Sequence, residues 1–135
     1  MSSPRYDWWS YAKSMVRHYP ALLREYRDLR STRVTARLDG LPGGNKLSRP
    51  VEDAVQRTLP PARMRELRAV HRALQQTKAR PRGEMRVEMI RMVYWNSSHT
   101  LAGAALRLDI SEVTAKRWNG EFLRAVGKEF GLLDA

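Results

Sequence analysis

Cysteine is absent from this 135-residue chain. Its absence excludes disulfide bonds, zinc sites built on thiolates and cysteine nucleophiles. Long apolar runs are also missing, since no stretch approaches the roughly 18 consecutive apolar residues that a membrane span requires. The first ten residues lack the apolar segment of a signal peptide. We therefore expect a cytoplasmic protein with no membrane partner.

Acidic residues are scarce relative to basic ones. The chain has 14 aspartates and glutamates against 25 lysines and arginines, which gives a net charge of +11. This excess predicts a polyanionic partner, and nucleic acid is favoured in a chain without membrane segments. The excess lies in residues 1–83, because residues 84–135 contain seven basic and seven acidic side chains. A DNA-binding unit in the C-terminal part therefore needs basic groups on one face or from a neighbouring segment.

Residue groups that would support catalysis or metal binding are also lacking. His18, His71 and His99 are scattered, without a second ligand at metal-binding spacing, so packing or surface roles are favoured for them. The acidic pair Glu52 and Asp53 has no nucleophile or base nearby. No phosphate-binding glycine loop is present. We expect a protein that is not an enzyme and uses no metal and no cofactor.

Helical spacing of apolar residues dominates the chain, and strand alternation is not found, which predicts an all-α fold. A first helix is predicted over residues 6–18. Pro20 is then expected to open a second helix over residues 21–38, because proline is accepted in the first turn of a helix. Its buried stripe would contain Leu22, Tyr26 and Leu29. We assign residues 1–38 to an N-terminal helical region.

The middle of the chain contains a linker and a further helix. Residues 39–50 are rich in glycine and proline and are predicted to form the linker. A short helix is predicted over residues 51–57, followed by a longer one from Pro60-Pro61 to Gln76. Its apolar stripe is Met64, Leu67, His71 and Leu74, and another face carries Arg65, Arg68 and Arg72. Residues 51–83 thus form a middle helix and a basic linker, the latter containing Lys78, Arg80 and Arg82.

Residues 84–135 contain the strongest functional pattern. A helix is predicted from Glu84 to Trp95, and residues 100–122 then fit a helix-turn-helix. Thr100 can cap a helix with packing groups at Ala102, Ala105, Leu106 and Leu108. Asp109 takes the left-handed turn position, Ile110 fills the turn, and Ser111 caps the second helix. Ala115, Trp118, Phe122 and Val126 repeat along one buried stripe.

The opposite side of this second helix is the candidate DNA-contacting surface, because helix-turn-helix proteins contact base edges and phosphates with the N-terminal half of that helix. Lys116 and Arg117 are expected to be its main contacts, with Val113 and Thr114 against base edges. The full set of candidate DNA-binding residues is Arg107, Ser111, Val113, Thr114, Lys116, Arg117 and Gly120. An ordinary helical hairpin with an amphipathic second helix is the alternative interpretation.

Two further groups are candidates for phosphate-backbone contacts, with a merely solvated face as the alternative in each case. The first is Arg65, Arg68 and Arg72, and the second is Lys78, Arg80 and Arg82, which as a flexible arm could enter a minor groove. We expect a fragment of residues 84–135 to fold alone and to bind DNA more weakly than the whole chain.

For the aromatic cluster Tyr6, Trp8, Trp9 and Tyr11, burial against later helices is favoured over base stacking.

Two resemblances sharpen this interpretation. The C-terminal unit resembles region four of sigma factors, whose recognition helix commonly begins with a run like Ile110 to Thr114. HYPALLREYRDLR at residues 18–30 and GLPGGNKLSRPVEDAV at residues 40–55 resemble the bacteriophage RinA and ArpU family of late-gene regulators. Arg49 stands where that family often has an acid. The resemblance implies an activator of phage late genes in a bacterial host cell that binds promoter double-stranded DNA, with host RNA polymerase as a candidate partner.

Two other functions remain open at this point. A small terminase subunit, a phage packaging protein, would also combine a helix-turn-helix with an oligomerising helical region. An interaction module whose basic helices bind an acidic protein is the third alternative. A homo-oligomer is compatible both with the transcriptional activator and with the small terminase subunit.

Overall fold

The computed structural model describes residues 8–39 and 58–132, with backbone alone for residues 32–39. These residues form five α-helices and no strand, which confirms the all-α prediction. The helices are α1 (Trp8–Asp39), α2 (Pro61–Lys78), α3 (Gly83–Ile90), α4 (Leu101–Leu108) and α5 (Glu112–Phe130). The linker predicted over residues 39–50 begins at the last residue of α1. Three predicted parts lie outside the described residues: the rest of the linker, the helix over residues 51–57, and Tyr6 at the start of the first helix.

The N-terminal region is one helix of 32 residues, so the prediction of two helices separated at Pro20 is wrong. Proline inside a helix removes one backbone N–H and leaves the carbonyl four residues earlier, here that of Val16, without its usual donor. Trp95 supplies the missing hydrogen bond from another part of the chain. The helix can continue through Pro20 because the Val16 carbonyl accepts a hydrogen bond from Trp95 in place of the missing backbone N–H.

Helix α2 begins as predicted at the double proline and ends two residues later than expected. Leu67 and Leu74 are buried as predicted, and Met64 packs partly against the core. His71 does not belong to the buried stripe: it is exposed, with Nδ1 3.3 Å from the Tyr19 hydroxyl. The buried face also contains Ala69, Val70, Ala73 and Thr77, which the heptad-like pattern missed.

One hydrophobic core joins all five helices. Met15 and Val16 of α1, Val70 of α2 and Leu123 and Val126 of α5 are among its most completely buried side chains. Helix α2 therefore shares its core with the helix-turn-helix.

Helix α3 starts one residue before its predicted position, and the chain remains helical to Trp95, as expected. The five residues that follow α3, Arg91–Trp95, form a π-helical turn in which Asn96 N–H donates to the Arg91 carbonyl at 2.8 Å. Such turns contain an extra residue and change the directions of the side chains around them. Here Tyr94 reaches α5, and Trp95 reaches α1.

Candidate nucleic-acid interface

Helices α4 and α5 and the turn between them have the local geometry predicted for a helix-turn-helix. The Thr100 hydroxyl accepts a hydrogen bond from Gly103 N–H at 3.0 Å and caps α4. Asp109 adopts the left-handed conformation, with φ 60° and ψ 46°. The Ser111 hydroxyl accepts from Thr114 N–H at 3.0 Å and caps α5. These caps satisfy helix-end amides that would otherwise lack partners, so the sequence determines where each helix begins.

The inner side of the motif is closely packed. Ala115, Trp118, Phe122 and Val126 are all buried, as the stripe predicted. Ala105 is buried as expected, and Leu108 and Ile110 pack partly against the core.

Two of the packing groups predicted for α4 are wrong, because Ala102 is exposed and Leu106 is 83% exposed. Ala104, fully buried, takes the inner position instead. The next residue of a helix is rotated by about 100° from its neighbour, so a shift of one or two positions moves a side chain from core to solvent.

The outer side of α5 presents three of the seven predicted contact residues. Val113 is 73% exposed, and Lys116 and Arg117 are both exposed. Lys116 lies 3.5 Å from Glu112, one turn earlier, and both side chains are more than half exposed. Such an exposed pair contributes little to stability and leaves the lysine available to another anion.

The other predicted residues around this surface are less accessible or lie beside it. Thr114 is half-buried, and its hydroxyl accepts a hydrogen bond from Ser111 at 2.9 Å. Ser111 is exposed but serves as the helix cap. Arg107 is exposed in the last turn of α4.

Gly120 does not belong to the exposed surface, contrary to the sequence prediction, because it is buried. A Cβ atom at this position would lie 3.8 Å from Cη2 of Trp9. The N-terminal turns of α1 therefore lie over the middle of α5 and cover the side of the helix that carries Gly120. Trp8 and Trp9 pack partly against the core, and Tyr11 donates a hydrogen bond to Glu66 at 2.5 Å. The expected burial is therefore confirmed in part for Trp8 and Trp9, whereas Tyr11 is 39% exposed.

A polar contact network holds the middle of α5 in place. The Arg86 guanidinium lies 4.9 Å from the centre of the Trp118 ring and donates to Glu121 at 2.7 Å. This hydrogen bond lowers the pKa of the Glu121 carboxyl, so the pair is ionised at neutral pH. The Arg86 side chain is only 11% exposed. From the π-helical turn, the Tyr94 hydroxyl donates to Asn119 Oδ1 at 2.6 Å. These contacts fix the rotation of α5 and hence which side chains face outward.

The arginines of α2 lie at the opposite end of α5 from its cap. The guanidinium of Arg65 stacks over the Phe130 ring at 4.5 Å and donates to the Phe130 carbonyl at 3.1 Å. Arg72 lies 3.8 Å from Glu129. Arg68 is exposed on the same helix. Since an α-helix rises 1.5 Å per residue, Glu129 is about 20 Å along α5 from Lys116.

The basic linker between α2 and α3 is a tight turn and not a flexible arm. Lys78 is the last residue of α2, and Arg82 has a left-handed φ of 58°. Arg80 lies 3.4 Å from Glu121, so it faces the middle of α5. Lys78 and Arg82 are exposed.

Several basic residues escaped the sequence prediction, among them Arg86, Arg124, Lys128 and Arg17. Arg124 and Lys128 are exposed on α5, seven and eleven residues after Arg117 and thus on its side of the helix. Continuing the outward stripe along the helix would have identified both. Arg17 of α1 is exposed, with its guanidinium 5.7 Å from the centre of the Tyr94 ring. Nothing in the sequence indicates that contact.

The three histidines make only local or peripheral contacts. Nδ1 of His18 lies 2.8 Å from the Ser14 carbonyl, and Nδ1 of His99 lies 2.8 Å from the Ser98 hydroxyl. Within the described ranges, histidine and acidic side chains form no group of three or more that could hold a metal ion. None of the described helices is long and apolar enough to cross a membrane.

Comparison with protein-family models, with curated proteins and with solved structures finds no significant match. The function is therefore inferred from the residues and from their arrangement.

Proposed function

We propose that the chain is a sequence-specific double-stranded DNA-binding protein in which α5 is the recognition helix. One observation carries the proposal: the first two turns of α5 are exposed on one side and anchored on the other. Val113, Lys116 and Arg117 face solvent, while Ala115 and Trp118 are buried on the inner side. A rigid helix with an open N-terminal half and basic outward residues suits insertion into a major groove.

The chemistry of the exposed side chains supports binding to a duplex. Arginine pairs in bidentate fashion with guanine, lysine binds phosphates or guanine, and an apolar side chain such as Val113 can contact a thymine methyl group. The excess of basic over acidic residues adds the sequence-independent attraction to phosphates. In this proposal the chain binds DNA without catalysing a reaction.

The biological role proposed is activation of phage late genes. Its support is the resemblance of residues 18–30 and 40–55 to the RinA and ArpU regulators, together with the helix-turn-helix that follows. In this role the protein binds promoter DNA in the bacterial cytoplasm and presents other surfaces to host RNA polymerase.

Footprinting on the genome that encodes the chain tests the proposal. The expected result is protection of a short promoter-proximal site by the full chain. A double variant, K116A with R117A, should lose about 2 to 5 kcal/mol of binding free energy at that site. The matched control removes two exposed arginines of α2, R63A with R68A, and should bind like the parent.

Two outcomes would overturn parts of the proposal. If the folded double variant binds its site as tightly as the parent, α5 is not the recognition helix. If the solution mass corresponds to a closed ring and the protected site is a packaging site, the role is genome packaging and not activation.

A further inference from the structure

Helix α1 supplies a basic surface beside the recognition helix that the sequence did not indicate. Two contacts place it there. Trp9 lies against Gly120 of α5, and the Arg17 guanidinium lies 5.7 Å from the centre of the Tyr94 ring, whose hydroxyl is bonded to Asn119. Asn119 and Gly120 are three and four residues after Lys116, about one helical turn. The first half of α1 is thus anchored at both ends beside the exposed turns of α5.

The side chains on this part of α1 have one sign of charge. Trp9, Lys13 and Arg17 are spaced by four residues and so share one side of the helix. Residues 8–24 contain Lys13, Arg17 and Arg24 and no acid. Lys13 and Arg17 therefore have no carboxylate one turn away on their own helix. Neither forms an ion pair with any carboxylate in the part of the chain that the structure describes.

The position of Arg17 suits phosphate binding. Arg17 is exposed, and its guanidinium lies 5.7 Å from the centre of the Tyr94 ring. A guanidinium has five N–H donors, and the attraction between its charge and an aromatic ring does not use them in hydrogen bonds. Those donors remain free for a bidentate hydrogen bond with a phosphate. Tyr94 is a fixed neighbour for this guanidinium, because it is itself buried and bonded to α5.

The arginines of α2 are differently placed. Arg65 contacts Phe130 and Arg72 lies 3.8 Å from Glu129, so both lie near the C-terminal end of α5, about 20 Å along that helix from Lys116. A duplex positioned on the first turns of α5 therefore meets α1 before it meets α2.

We propose that Lys13 and Arg17 of α1 form the phosphate clamp of this protein, binding the DNA backbone that flanks the groove occupied by α5. The proposal rests on the proposed function, since it requires α5 to be the recognition helix. It replaces the expectation that the arginines of α2 make these contacts.

The test measures the salt dependence of binding to a labelled random-sequence duplex of about 30 base pairs by fluorescence anisotropy. Each lost phosphate contact should reduce the slope of log K against log salt by about 0.9. R17Q and K13Q should each show this reduction, and the double variant should show about twice as much. R17K should keep the parent slope because it keeps the charge.

R30Q is the matched control. Arg30 lies on the same helix over the ring of Tyr26, at 5.4 Å, but 13 residues beyond Arg17, about 20 Å along α1. R30Q should therefore show the same slope of log K against log salt as the parent. Circular dichroism melts check that each variant is folded. If R17Q is not folded, K13Q tests the clamp separately.

The outcomes separate this inference from the proposed function. If the parent and R17Q have equal slopes, or if R30Q loses as much as R17Q, the clamp is refuted while α5 can still be the recognition helix. If the parent chain does not bind the duplex even at low salt, the proposed function fails and the clamp with it.

Discussion

The indole Nε1 of Trp95 donates a hydrogen bond to the backbone carbonyl of Val16 at 2.8 Å. This carbonyl is the one that Pro20 leaves without a donor, four residues later in α1. Val16 is fully buried, so water cannot replace the lost N–H. The ring of Trp95 also stacks on Tyr19, with 5.8 Å between centroids. The π-helical turn that ends at Trp95 is therefore attached to α1 at the site of its proline.

This relationship predicts a coupling between Trp95 and Pro20. W95F removes the N–H and should cost about 1 to 3 kcal/mol through the unsatisfied carbonyl, in addition to a packing loss. In a P20A background the new backbone N–H of residue 20 can satisfy Val16, so W95F should cost about 1 kcal/mol less. A double-mutant cycle by urea denaturation measures the difference. If the effects of the two substitutions on the free energy of unfolding were strictly additive, Trp95 would not be the substitute donor for the Val16 carbonyl.

Two glycines should respond oppositely to the same substitution. At Gly83 a Cβ atom would lie 2.1 Å from the Lys78 carbonyl oxygen, so G83A forces the tight turn apart and should destabilise the protein by about 1 to 3 kcal/mol. At Gly120 the nearest atom is the end of the Arg124 side chain at 3.4 Å. G120A should therefore stabilise α5 by about 0.5 to 1 kcal/mol. Thermal melts of both variants, compared with the parent, measure whether stability falls in G83A and rises in G120A. A destabilised G120A would show that Trp9 packs more tightly against Gly120 than inferred.

Stability should fall at high pH because of Tyr94. Burial raises the pKa of this phenol to about 12, from 10.0 when exposed. The folded state therefore retains the proton more strongly than the unfolded state. This contribution is fully present below pH 10 and is lost as the pH rises through 12, amounting to roughly 2 to 3 kcal/mol. Burial raises the pKa values of Tyr11 and Tyr19 too, so Y94F is the necessary comparison.

Urea denaturation between pH 8 and 12 checks this prediction. Y94F should be slightly less stable than the parent at pH 8, because it loses the hydrogen bond to Asn119, and should lose less stability on going to pH 12. Parallel pH profiles for the two proteins would count against the assignment.

A fragment of residues 84–135 should fail to fold alone, contrary to the expectation from sequence. It lacks α1 and α2, which contribute Met15, Val16 and Val70 to the core that also contains Leu123 and Val126. Without them, the fully buried side of α5 would face solvent. Circular dichroism and a thermal melt of the fragment measure the effect. A cooperative transition would mean that α3 to α5 form a core of their own.

Local features of the helix-turn-helix could be predicted because they depend on near neighbours in sequence. Thr100 and Ser111 cap the helices that follow them, and Asp109 tolerates the left-handed turn, whatever the rest of the chain does. The inner stripe from Ala115 to Val126 follows from helical periodicity alone. The same reasoning misplaced Leu106, because periodicity in a helix of eight residues leaves its rotation poorly determined.

By itself the sequence thus determined the all-α class, the caps, the turn and the inner and outer sides of α5. The tertiary structure decided the rest, because it depends on contacts between distant residues. Pro20 lies inside α1 because Trp95, 79 residues beyond Val16, supplies a donor. Gly120 is buried because α1 crosses α5 there. Arg17 lies near α5 because its guanidinium lies over the ring of Tyr94, which is bonded to Asn119, and no periodicity in the sequence indicates that contact.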